Sequence, residues 1–151
     1  MTLSVKTRGK PRIVVSDIDC KRLLDLAAAV HDRLPEVAEE LQAEMDRARV
    51  APVRSLPDNV VRMGSTVEFR SGAQQRRVTL VFPGEADIAL NRISILTPIG
   101  VALIGLSTGQ SMTWLARDGR QHELTVVHVE QPVSEPGRRP KAEFAAMAGQ
   151  G

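Results

Sequence analysis

One feature constrains this chain more than any other: its hydrophobic period changes partway along. Up to Arg49 the apolar residues recur at three- and four-residue steps, and beyond residue 59 they alternate with polar ones. Between the two regimes, residues 51–59 hold Pro52 and Pro57 and read as a linker. A stripe of period 3.6 fits a helix face and a stripe of period 2 fits a half-buried strand, and neither serves as the other. The sequence therefore predicts an α+β chain, helical first and sheet second.

In the first part, Ser16 followed three residues later by Asp19 reads as a capping-box-like helix start. Cys20, Leu23, Leu24, Ala27 and Val30 then form one face. Pro35 suits the first position of a second helix, where a missing N–H costs nothing. Leu34, Ala38, Leu41, Met45 and Ala48 step by 4, 3, 4 and 3, a narrow seam of the coiled-coil kind. Residues 12–50 are thus expected to form a short antiparallel helical hairpin bending near residues 31–34. Arms of about 14 residues reach only ~20 Å.

In the second part, Val67 and Phe69, then Val78, Leu80 and Phe82, then Ile93 and Ile95, then Met112 and Trp114 alternate with polar neighbours. Residues 124–129 are rich in β-branched side chains, and Asp118-Gly119 signals a hairpin turn before them. Residues 98–104 interrupt the strands with Ile99, Ala102, Leu103 and Ile104, and Gly105 follows as a cap. They read as a short, mostly buried helix inside an otherwise antiparallel sheet at residues 60–131. Residues 1–11 and 132–151 read as flexible tails, the second with a transient helix at 142–148.

The 151 residues carry a net charge of +2, and a pI near 9.1 invites a nucleic-acid partner. Its distribution points elsewhere. Residues 1–12 hold +4 and residues 131–151 hold +1, which leaves −3 on residues 13–130. Phe69, Phe82, Trp114 and Phe144 are the only aromatic rings, few for gripping single strands by stacking. The single cysteine, Cys20, excludes an internal disulfide and a cysteine-rich zinc site. The first residues lack the apolar core of a secretory signal, and the longest apolar-rich stretch, 99–106, is too short to span a membrane. A cytoplasmic protein is the expectation.

Enzyme motifs fail in turn. Neither phosphate-binding glycine pattern occurs. Gly105-Leu106-Ser107-Thr108-Gly109 follows a helix and reads as a turn, not a nucleophile elbow. His122 and His128 share one predicted strand face but have no acidic or thiol partners for a metal; His122 is expected near the strand edge, His128 partly buried and His31 solvated. Cys20, in the first helical turn, is a seam residue or a thiol activated by the helix terminus. No catalytic residue, cofactor or metal is expected.

Acid density is what remains. Residues 17–46 hold nine acidic side chains against Lys21, Arg22 and Arg33, a net −6. Asp32, Glu36, Glu39 and Glu40 cluster near the bend, and Glu36 repels Glu40 one turn away by a few tenths of a kcal/mol. Such a cluster is a solvated face, a probe for a basic cleft or a holder of a divalent cation.

Several segments resemble the Gre family of bacterial transcription factors. Thr97-Pro98-Ile99-Gly100-Val101-Ala102-Leu103-Ile104-Gly105-Leu106 is similar to the S/A-P-[IV]-[GA]-x-A-L-[IL]-G stretch of their C-terminal domain. Ile93-Ser94-Ile95-Leu96 matches the strand leading into it, and Val61-Arg62-Met63-Gly64-Ser65-Thr66-Val67 resembles the domain's opening. Ile18-Asp19, Glu44-Met45-Asp46-Arg47-Ala48 and Leu80-Val81-Phe82-Pro83 look like the Rnk branch, which joins that domain to a much shortened hairpin. The resemblance covers residues 12–131. It implies an FKBP-like sheet and RNA polymerase as the partner, and a monomer is the expectation for the chain itself. It further implies a regulator of elongation bound at the secondary channel in competition with Gre factors, and an influence on nucleoside diphosphate kinase. By carry-over, Thr97, Pro98 and Ile99 become docking residues, and Asp32, Glu36, Glu39 and Glu40 the acids presented to the channel. The short arms and the lack of a clear D-x-x-E at the tip depart from the cleavage factors. The alternatives are an FKBP-like peptidyl-prolyl isomerase, for which no activity is expected, and nucleic-acid (DNA) binding through the basic tails.

Overall fold

The computed structural model describes residues 10–115 and 118–132. Strand β1 (Val14–Ser16) leads directly into helix α1 (Asp17–Val30). A bend follows, then helix α2 (Pro35–Arg47) and strand β2 (Arg49–Ala51). Ser16 caps α1, its Oγ accepting from the Asp19 N–H at 2.9 Å, and Pro35 opens α2. Leu23, Ala27 and Val30 of α1 and Ala38, Leu41 and Met45 of α2 are buried. The ends of the anticipated seam are not: Leu34 is exposed, and Ala48, just past α2, is half-buried.

The sequence reading missed β1 and β2. They pair in parallel, Val14 with Arg49 and Ser16 with Ala51, and so clamp the base of the hairpin. Three-residue strands carry no periodic signal, and each is stabilised by a partner 35 positions away. The anticipated linker is also structured. It starts inside β2, passes through a 3-10 turn at Val53–Ser55 and buries Leu56.

The sheet comprises β3 (Thr66–Ser71), β4 (Gln74–Val81), β5 (Arg92–Ser94), β6 (Ser111–Leu115) and β7 (Gln121–Glu130) in the order β5-β4-β3-β7-β6. Four of the strands are antiparallel as expected, but β5 lies parallel to β4 at the edge. The chain reaches β5 through the connection at residues 82–91, so it arrives pointing the same way as β4. Arg77 of β4 binds Glu68 of β3 and Glu130 of β7, tying three strands on the open face. Helix α3 (Pro98–Leu103) is the short buried helix the sequence predicted.

Its motif has a local physical basis. Thr97 caps the helix, Oγ1 accepting from Gly100 N–H at 3.1 Å and donating to Ser94 C=O at 2.8 Å. A Cβ on Gly100 would sit 2.5 Å from that same Ser94 oxygen, so only glycine fits. Gly105 turns the chain at φ +83° against Ile13, whose Cβ an added Cβ would meet at 2.8 Å. Ser65 of the opening motif is buried, accepting from Arg62 N–H and donating to Gln131, which in turn donates to Asp58 and Val60 carbonyls.

One continuous apolar cluster runs from Leu23 and Leu41 of the hairpin to Phe69, Leu80 and Leu124 of the sheet. Polar contacts cross the same junction. Met63 N–H donates to the Asp19 carboxylate at 3.2 Å, and the Arg22 guanidinium lies 4.2 Å over the Phe82 ring.

Candidate functional site

The seven anticipated residues fall on two surfaces. Asp32 lies in the bend, and Glu36 and Glu39 lie on the first two turns of α2; all three are exposed. Glu39 reaches back to His31 at 3.4 Å, so the solvated histidine is also an ion-pair partner when protonated. These acids therefore sit exposed at the bend end of the hairpin.

Glu40 behaves differently. It too is exposed, but it also lines a cavity of about 230 Å³ with Lys10, Glu44, Pro98, Met112 and Trp114. Burial raises its carboxyl above the ordinary range; Glu36 and Glu44 add to that, and Lys10 opposes it. Glu40 lies one turn beyond Glu36 on the same helix face, whereas Glu39 sits about 100° round the helix from it.

Glu44 is the residue sequence reasoning passed over. Its side chain is 4% exposed and ion-paired with Arg47 at 2.8 Å and Lys10 at 3.5 Å. Arg47 also donates to the Pro11 carbonyl at 2.6 Å. The last residues of the anticipated basic tail, Lys10 and Pro11, are thus held on α2. The signal was present in the Glu44/Arg47 spacing of three, which places opposite charges on one helix face.

The second surface surrounds Thr97, Pro98 and Ile99. They lie at the start of α3 and line a cleft of about 450 Å³ with Ile88, Arg76, Arg92 and Trp114. Ile88 is 88% exposed and Leu90 57%, unusual for large apolar side chains. The Trp114 indole N–H is buried and has no partner among the described residues. Ile99 itself is mostly buried, so Thr97 and Pro98 form the accessible lip.

The remaining candidates resolve into structural roles. Cys20 is half-buried against the core, and burial together with nearby Asp46 pushes its thiol up, opposite to activation by a helix terminus. His122 packs on Trp114, ring centres 5.2 Å apart. His128 is exposed rather than partly buried, because the register against β3 slips between Glu68 and Phe69. That bulge reverses the strand's parity, so His122 and His128 no longer share a face. Among the described residues no group of three metal-ligating side chains converges, and no helix is long and apolar enough to cross a membrane. The basic residues before Lys10 and the anticipated helix at 142–148 lie outside the described residues.

Comparison with known proteins covers both the hairpin and the sheet. The model of the Rnk N-terminus matches residues 11–50, and that of the transcription elongation factor GreA/GreB C-terminal domain matches residues 56–131. The chain is 35% identical over 125 residues to the regulator of nucleoside diphosphate kinase of Escherichia coli (strain K12), covering 81% of this chain and 91% of that one. It is 36% identical over 92 residues to transcription elongation factor GreA of Rhodospirillum rubrum, 59% of each chain. The solved GreA/GreB elongation factor of Nitrosomonas europaea superposes with a TM-score of 0.64 at 36% identity, over 80% of this chain and 99% of that one. With a helical N-terminal part and a sheet domain matched in the same order, the chain belongs to the Rnk branch of the GreA/GreB transcription elongation factor family.

Proposed function

We propose that this chain is a non-catalytic regulator of transcription elongation that binds RNA polymerase at its secondary channel and competes there with Gre factors. The observation that carries the reading is the division of the surface. Exposed Asp32, Glu36 and Glu39 occupy the bend end of the hairpin, with Glu40 behind them, while Thr97, Pro98 and Ile99 border an apolar cleft on the sheet. An acidic projection suits a channel lined with cations, and it speeds and orients the encounter more than it adds affinity. The cleft, rimmed by exposed Ile88, supplies the apolar contact that holds the complex.

Arms of 14 and 13 residues extend only ~20 Å, too short a probe for us to propose transcript cleavage. The influence on nucleoside diphosphate kinase in the name of the Escherichia coli relative is placed downstream of polymerase binding. An FKBP-like isomerase needs a ring-lined pocket, and Trp114 is the one ring lining the cleft. A pull-down with core RNA polymerase, with and without added GreA, tests the proposal. Retention that GreA displaces is the expected result, and absence of retention rejects it.

A further inference from the structure

We propose that the cleft at Thr97 and Pro98 selects a protein segment in which a large apolar side chain is flanked by carboxylates, with Arg76 and Arg92 reading the carboxylates. The chemistry of the occupant follows from the cleft alone; its place on polymerase rests on the proposed function. The rim is preformed. Asp87 and Arg92 exchange backbone bonds, N–H to C=O at 2.9 Å in both directions, and Asn91 turns the chain between them at φ +58°, which asparagine tolerates. That closed loop holds Ile88 out at 88% exposure, so a large apolar side chain is fixed in solvent at the rim. Pro98, Ile99 and Trp114 continue the apolar lining of the cleft, which measures about 450 Å³.

Charge decides what enters. Arg76 and Arg92 line the cleft, both are exposed, and neither has an ion-pair partner among the described residues. Among the described residues no acidic side chain lines the cleft with them. The neighbouring Asp87 carboxylate is occupied in capping the turn at Ile88–Leu90, where it accepts from the Ala89 N–H at 3.1 Å. Arg76 is held over the Phe69 ring, 5.8 Å from its centre, which limits where its guanidinium can lie. An apolar cleft by itself admits any large aliphatic or aromatic side chain. Two guanidinium forks beside it favour one flanked by carboxylates, which they bind in two-pronged geometry, and they penalise a basic competitor.

Trp114 is the single tryptophan, so its indole N–H gives one NMR signal at the cleft. The probes are blocked hexapeptides titrated into the full chain: Glu-Glu-Leu-Leu-Glu-Glu, its counterparts with Gln or Lys in place of Glu, and Glu-Glu-Ser-Ser-Glu-Glu. A saturable shift of the Trp114 signal is expected with the first, at an affinity about fivefold above that of the Gln peptide, and no shift with the Lys or Ser peptides. Arg92→Glu alone and Arg76→Gln/Arg92→Gln should each bring the acidic peptide down to the level of the Gln peptide. Equal affinity for the acidic and Gln peptides, indifference to both arginine variants, or no shift with any peptide overturns the proposal. So does a Trp114 shift that follows protein concentration without peptide, which would place a second copy of the chain in the cleft. Failure of the unaltered chain to bind core polymerase counts only against the proposed function, because the peptide titration contains no polymerase.

Discussion

At the residue scale, two carboxylates carry the hairpin's base. Glu44 is buried with Arg47 and Lys10 around it, so Glu44→Ala removes charge-assisted bonds and leaves Arg47 only its bond to the Pro11 carbonyl. A loss of about 1.5–3 kcal/mol is expected, read as a lower urea midpoint at constant slope. Asp19 is instead raised from 3.8, first by burial, against the opposing Met63 N–H, Arg22 and Arg62. A raised folded-state carboxyl binds its proton more tightly than the unfolded one. The favourable contribution is therefore complete below pH 3.8 and is lost as pH rises through the folded value. Asp19→Asn keeps an acceptor for Met63 and cannot ionise. Its stability relative to the parent, followed by urea unfolding across pH, should be level in acid and rise above pH 3.8. Gly105→Ala meets both a positive φ and the Ile13 side chain, and a cost of about 1–3 kcal/mol is expected in the same assay.

At the element scale, sequence signals worked wherever an element is stabilised by its own neighbours. Ser16 caps α1, Pro35 opens α2, and Thr97-Pro98 starts α3, each announced by residue types that act within one turn. Ser16→Ala should cost about 1 kcal/mol, seen as a lower urea midpoint. Elements stabilised from a distance were not legible. β1 and β2 exist only as a pair, and β5 owes its parallel direction to the path of residues 82–91. His128 turns outward through a bulge that only the register with β3 reveals.

At the scale of the whole molecule, hairpin and sheet share one core, so the acidic end and the apolar cleft are held in a defined relation. Asp32→Lys, Glu36→Lys and Glu39→Lys together should leave thermal stability nearly unchanged, since all three side chains are exposed. The same triple variant should bind core polymerase more slowly, with a weaker salt dependence, in surface plasmon resonance. Ile88→Asp should likewise spare the fold but accelerate dissociation, because Ile88 is 88% exposed at the rim of the cleft. Equal rates for both variants and parent would reduce the two surfaces to ordinary solvated faces.

The sequence by itself determined the order of helix and sheet, the cap residues, the short buried helix, and the concentration of acid on the hairpin. These follow from period, cap chemistry and charge, which act between residues a few positions apart. Tertiary structure decided which acids belong together. Packing set Glu40 at the rim of a cavity beside Lys10, buried Glu44 among bases from two segments, and drew Ile88 and Trp114 to the lip formed by Thr97 and Pro98. Each of those outcomes depends on contacts between distant parts of the chain, which no local pattern encodes.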